Sequence, residues 1–306
     1  MSLNEGIHSQ KQHMDVGQRL RTIKHVVLIL SGKGGVGKSS VTAQLALSLV
    51  QANFKVGVLD IDLCGPSIPR MLGLDGKKIH QASAGWVPVF ADEEQRLACM
   101  SIGFLLPDKN SSVVWRGPKK NAMIKQFLTD VYWGELDFLL IDTPPGTSDE
   151  HLSVLEYLQE WSPDGAVLVT TPQGVSLSDV RKEYNFCMKV GLNVLGIIEN
   201  MSGFQSNFVA SILQECTNVF STGGGEAMAK EFNINFLGKV PIDPSLTLFL
   251  DQAPQSGSSE KDSNNKSPDG QGSFEDMIRR YQECKLSSIF SDIIGKLTSS
   301  TSNGSV

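Results

Sequence analysis

The run Ser31-Gly32-Lys33-Gly34-Gly35-Val36-Gly37-Lys38-Ser39-Ser40 limits what this chain can fold into more than any other stretch. It spells a glycine, four residues, then Gly-Lys-Ser, the pattern of a phosphate-binding loop. The preceding residues, Val26-Val27-Leu28-Ile29-Leu30, are apolar and β-branched, as a buried parallel strand requires. After Ser39, Val41, Leu45, Leu49 and Val50 fall at helical spacing. A strand, a glycine loop and a helix start in that order separate a phosphate site from a glycine-rich turn with no ligand. Glycines let successive backbone N–H groups converge on a phosphate, and the helix N-terminus adds its positive dipole end. Lys38 is placed to reach the β- and γ-phosphates, and the Ser39 hydroxyl suits Mg²⁺. Lys33 is a second lysine near the start of the loop, either solvated or reaching a phosphate.

The pattern downstream alternates strands with helices, which predicts a doubly wound, mostly parallel α/β sheet with helices on both faces. Strands are expected at 54–59, 138–142, 166–170, 194–198 and 235–240, with short ones at 87–90 and 97–101. Helices are expected after Pro118 and over 176–189. The second strand ends at Asp60-Ile61-Asp62, followed by the turn-rich Gly65-Pro66-Ser67. Loops at the carboxyl ends of parallel strands are where ligands sit in such sheets. Phe138 to Ile141 lead into Asp142, then Thr143-Pro144-Pro145-Gly146. A strand ending in aspartate after a phosphate loop places a carboxylate near Mg²⁺ or its water. The domain is expected over 24–251, after a leader at 1–23. An uncharged-to-mixed polar stretch at 252–273 reads as a disordered insertion. A capping box at Ser273 opens a helix over 274–297 that packs on the domain, and 298–306 reads as a polar tail.

Composition excludes several classes. The 306 residues are 40% hydrophobic and 20% charged, with a net charge of −6. Such a balance offers no basic nucleic-acid surface. No apolar run reaches the roughly 18 residues of a membrane span. The first 21 residues lack the apolar core of a secretory signal. Five widely spaced cysteines, at 64, 99, 187, 216 and 284, form no disulfide framework. A reducing, cytoplasmic setting follows.

Lys33 in the loop, Asp60-Ile61-Asp62 with Gly65-Pro66-Ser67, Trp115-Arg116-Gly117-Pro118, and Asp142-Thr143-Pro144-Pro145-Gly146-Thr147-Ser148-Asp149 form a specific combination. By these motifs the chain resembles the Mrp/nucleotide-binding-protein family of deviant Walker A ATPases, over about residues 20–250. Having no cysteine before Cys64, it is similar to the short members that serve cytosolic iron–sulfur cluster assembly. The longer sister type carries an N-terminal cysteine cluster. The resemblance implies MgATP bound between two subunits and hydrolysed slowly. Lys33 would then act across the dimer interface. Gly32 to Ser40 would hold phosphates and Mg²⁺, Asp62 would orient the attacking water, and Asp142 would stand at the Mg²⁺ shell. Asn200 would face the adenine. Residues alone support the phosphate and Mg²⁺ roles; an Asn at a strand end is more often a turn residue.

The chain departs from that family at one place. Asn200-Met201-Ser202-Gly203-Phe204 is followed in the family by a Cys-Pro-x-Cys loop, which shares a [4Fe–4S] cluster between two subunits. Here residues 205–215 contain no cysteine, and Cys216 stands alone. A cubane cluster takes about four thiolates, so a homodimer with one Cys216 per subunit falls short. The expectation is an intact ATPase whose cluster scaffolding is impaired, acting as a homodimer or with the longer sister ATPase, and serving apo iron–sulfur proteins. Two other readings remain: a non-catalytic nucleotide-binding regulatory subunit, and a positioning ATPase of the cell-division or partition kind.

Overall fold

The computed structural model describes residues 19–62, 65–83, 85–105, 117–146, 149–158, 163–204, 223–243 and 274–302. The main sheet is built from β1 (Ile23–Leu30), β2 (Val56–Asp60), β5 (Val89–Phe90), β6 (Leu97–Ser101), β7 (Leu136–Asp142), β8 (Gly165–Thr170), β9 (Val194–Phe204) and β10 (Phe236–Ile242). Its order is β10-β9-β8-β1-β7-β2-β6-β5. Every pairing is parallel except β5 with β6. A separate hairpin joins β3 (His80–Ala82) to β4 (Gly85–Val87). The helices are α1 (Lys38–Gln51), α2 (Ile68–Met71), α3 (Gly117–Asp130), α4 (Asp149–Leu158), α5 (Gly174–Val190), α6 (Gly224–Phe232), α7 (Phe274–Glu283) and α8 (Lys285–Ser302).

Strand alternation explains the layering. Successive side chains of a strand point to opposite faces. Val27, Ile29, Val56, Val58, Phe138, Leu140, Val167 and Val169 pack toward the layer of α1, α7 and α8. Val26, Leu28, Leu59, Leu139, Ile141, Ala166 and Leu168 pack toward α3, α4, α5 and α6. Because both faces are covered, these strands read as continuous apolar runs, as parallel sheets do. Each fully buried Leu, Ile or Phe contributes about 1.5–3 kcal/mol of transfer free energy. The strands therefore form a stiff platform whose carboxyl ends carry the loops.

Several boundaries differ from the sequence expectation. The packed body begins inside the stretch expected as a leader, since Leu20 is fully buried and β1 starts at Ile23. The expected helix over 274–297 is two helices broken at Cys284, and the second runs on to Ser302. The serines and threonines at its end read as a tail. However, Ile293, Leu297 and Thr301 continue one buried stripe at intervals of four. The Ser299, Ser300 and Ser302 hydroxyls donate back to the carbonyls of Gly295, Lys296 and Thr298. Propensity yields there to packing against β10. The stretch 252–273, Ser273, Trp115, Arg116, Cys64, Cys216 and residues 303–306 lie outside the described residues.

Candidate functional site

The loop between β1 and α1 sits at the carboxyl ends of β1 and β7, where a parallel sheet presents its ligands. Gly35 and Gly37 have φ of 82° and 79°, a left-handed geometry that side chains disfavour. Gly37 is the N-cap of α1, and no side chain caps the helix or places an acid in its first turn. The free N–H groups of that turn are what an anion would meet. Gly32 is required for another reason: a Cβ there would run into the backbone of Asp179 on α5.

Asp142 gathers the loop's functional side chains. Its Oδ1 accepts from Lys38 Nζ at 2.7 Å and from Thr42 Oγ1 at 2.7 Å, and its Oδ2 accepts from Ser39 Oγ at 2.6 Å. Lys38 is 6% exposed and Asp142 is fully buried, so the pair is a desolvated, charge-assisted one. Asp142 lies level with Asp60 across the β2–β7 register. Burial, and after it the Asp142 charge, hold the Asp60 carboxyl well above the ordinary carboxylate range. Ser101 Oγ and the Asp62 N–H both donate to Asp60, at 2.9 and 3.1 Å. Asp62 itself is partly exposed and lines the cavity of about 210 Å³ above the loop. Lys33, Ser40, Ser67, Met71 and Pro145 also line it. That volume takes a polyphosphate and a metal ion rather than a whole nucleotide.

The proline turn after Asp142 is stitched to the same loop. Thr143 Oγ1 donates to the Ile29 carbonyl at 2.8 Å, and the Gly146 N–H donates to the Ser31 carbonyl at 2.7 Å. A ligand that shifts the loop therefore acts on this turn directly. A wider recess of about 910 Å³ between β9, β10 and α8 opens at the other ends of these strands; its Lys296 is bound to the carbonyls of Phe236 and Leu237.

The loop residues Gly34 to Ser40, expected from sequence to hold phosphates and Mg²⁺, lie together with Asp142, expected at the Mg²⁺ shell, and Asp62, expected to orient the attacking water. Ser39 Oγ and the Asp142 carboxylate form a hard oxygen pair of the kind Mg²⁺ takes, usually with several waters retained. Asn200 lies beside the loop, its Nδ2 donating to the Val36 carbonyl at 2.8 Å. Sequence reasoning assigns no role to Thr42, Ser101 or Asp60. The signal for Thr42 is a hydroxyl one helical turn beyond Lys38.

Cysteines do not converge among the described residues. Cys99 packs in the α1 layer and Cys187 in the α5 layer, on opposite faces of the sheet. Burial pushes the Cys187 thiol up to about 12 and raises Cys99 as well. Neither is a thiolate ready for iron. Cys284 sits at the α7–α8 break. No group of three or more potential metal ligands occurs among the described residues. None of the described helices is long and apolar enough to cross a membrane.

Comparison with known proteins adds to this geometry. The profile of a family described as "ParA: NUBPL iron-transfer P-loop NTPase" matches residues 22–273. A Nematostella vectensis protein named cytosolic Fe-S cluster assembly factor NUBP2 homolog is 62% identical over 236 residues, 77% of this chain and 86% of its own. The Kluyveromyces lactis cytosolic Fe-S cluster assembly factor CFD1 is 51% identical over 288 residues, 94% of each chain. Among solved structures, a nucleotide-binding protein of Archaeoglobus fulgidus in complex with ADP is similar at TM-score 0.65 and 37% identity, covering 79% of this chain and 91% of that one. The septum site-determining protein MinD of Pyrococcus horikoshii, 21% identical at TM-score 0.57 over 88% of this chain and 94% of its own, shares the fold.

Proposed function

The chain belongs to the ParA/NUBPL family of P-loop NTPases, and from that premise we propose that it is an ATP-binding, slowly hydrolysing factor of cytosolic iron–sulfur cluster assembly. The observation that carries this reading is the Asp142 knot, which holds Lys38, Ser39 and Thr42 on one buried carboxylate. Before MgATP arrives, Lys38 and Ser39 neutralise and satisfy Asp142. With MgATP bound, Lys38 would hold the phosphates, and Ser39 and Asp142 would supply the oxygens for Mg²⁺ or its water. Mg²⁺ would supply charge neutralisation on the phosphates. Asp62, at the cavity wall, is the group we assign to orient the attacking water. Lys33 lines the same cavity and would complete the site of a second subunit. The names of the relatives support the assembly role and a cytosolic place of action; a sister ATPase as partner is part of our proposal.

Scaffolding of a [4Fe–4S] cargo is the part we propose to be impaired. The support is chemical: residues 205–215 hold no cysteine, and Cys216 alone follows Phe204 before Gly223. The test of the leading reading is phosphate release by the full chain with Mg²⁺, alone and with the sister protein, against Lys38→Ala. Turnover that vanishes in Lys38→Ala supports an ATPase; binding without turnover in either mixture makes the chain a nucleotide-binding regulatory subunit. Anaerobic reconstitution with iron and sulfide tests the cargo. Iron retained per chain and lost in Cys216→Ala would restore the scaffold role.

A further inference from the structure

The carbonyl of the Val36–Gly37 peptide in the loop is held by a side chain from another element. Asn200 Nδ2 donates to the Val36 carbonyl at 2.8 Å, and both residues are buried. A carbonyl can only accept, so the amide nitrogen must be the atom that faces it. In a planar trans peptide the C=O and the following N–H point in opposite directions. Pinning the Val36 carbonyl toward β9 therefore turns the Gly37 N–H toward the cavity that Gly37 lines. Gly37 at φ 79° permits this, and the same residue must lack a side chain because a Cβ would run into the Asn200 amide.

The support behind Asn200 is unusually rigid. The next residue, Met201, has φ 55°, a left-handed conformation that non-glycine residues disfavour and that persists only where its surroundings over-determine it. The Met201 methyl lies 3.5 Å from where a Gly37 Cβ would be. The preceding residue, Glu199, is fully buried. Its Oε1 accepts from Ser202 Oγ at 2.5 Å and the Gly223 N–H at 3.0 Å, and its Oε2 accepts from the Gly225 N–H at 2.6 Å. This carboxylate caps α6 and ties it to β9, the strand that presents Asn200.

We infer that Asn200 is a positioning residue for phosphate binding: it latches the Val36–Gly37 peptide so that the Gly37 N–H is aimed at the phosphates, whatever base the nucleotide carries. This rests on the nucleotide-binding reading and differs from a contact to adenine, which the family resemblance implies for the same residue. With the latch removed, the peptide is free to rotate and offer its carbonyl to an anion.

The test measures binding of ATP, GTP and inorganic tripolyphosphate, each with Mg²⁺, to the full chain and to Asn200→Asp and Asn200→Ala. Asn200→Asp puts an acceptor against the Val36 carbonyl and is expected to weaken all three probes by the same factor, at least about ten-fold, leaving the ATP:GTP ratio unchanged. Asn200→Ala, which only deletes the donor, is expected to act in the same direction by a smaller factor, with full binding stoichiometry. Loss of the preference for ATP with tripolyphosphate and GTP bound as before would overturn the latch in favour of a base contact. Unchanged binding of all three would overturn it outright. Failure of the unaltered chain to bind any polyphosphate would instead sink the nucleotide reading on which the latch stands.

Discussion

Replacing Asp142 by alanine removes the acceptor of three hydrogen bonds at once and leaves the Lys38 ammonium buried without its partner. Breaking a buried ion pair from one side costs about 3–5 kcal/mol, most of it from the stranded charge. Asp60 moderates that loss. Its carboxyl is held up by burial and by the Asp142 charge, and Lys38 acts on it in the opposite sense. With Asp142 gone, Asp60 ionises more readily and offers Lys38 a second counter-charge one strand away. The expected cost is therefore at the low end, about 3 kcal/mol, which for a chain of 306 residues lowers the melting temperature by roughly 5 °C. The assay is urea and thermal unfolding without nucleotide for wild type, Asp142→Ala, Lys38→Met and the double variant. Because the stranded charge is absent from the double variant, the two losses are expected to fall short of additive by about 2 kcal/mol. Strict additivity would refute the reasoning, because it would mean that the two groups do not stabilise each other in the folded chain.

Three further outcomes follow from particular residues. Glu183 is fully buried on α5, with no hydrogen-bond partner for either carboxylate oxygen among the described residues, and burial pushes its pKa up to about 7 from 4.5. The folded chain thus holds this proton where the unfolded chain releases it. Its contribution to stability is fully present below about pH 4.5 and is lost as pH rises through 7, by about 3 kcal/mol in all. Glu183→Gln should flatten the fall of melting temperature between pH 5.5 and 8, and parallel curves would contradict the burial argument. Gly32→Ala forces a Cβ into the Asp179 backbone, so ATP turnover is expected to drop at least about ten-fold while the chain still folds, as circular dichroism would show. Tyr281→Phe deletes the buried hydroxyl that pairs with Ser48 at 2.9 Å, joining α7 to α1; a loss of about 1 kcal/mol in urea titration is expected.

Much of the fold was readable because its strongest signals are local. A continuous apolar run such as Phe138–Ile141 identifies a strand covered on both faces, and the glycine spacing after Leu30 identifies the loop. The family and the doubly wound sheet followed from these signals, and the relatives and the sheet order agree with both. The extension of α8 to Ser302 was not readable, since serine and threonine favour that helix only once β10 lies beneath it. Nor was the Asp142 knot readable in full: Thr42 and Asp60 acquire their meaning from the register that sets Asp60 level with Asp142. Glu199 and Met201 looked like ordinary strand-end residues, because the contacts that distinguish them come from α6 and the phosphate loop, both distant in sequence.

The most direct measurement is a calorimetric titration of ATP into the full chain with Mg²⁺, repeated with Lys38→Met. If the loop and Asp142 form a nucleotide site held ready by its own side chains, one ATP binds per chain and the affinity collapses in the variant. No binding by a chain that is folded, or equal binding by both, would contradict that reading of the loop.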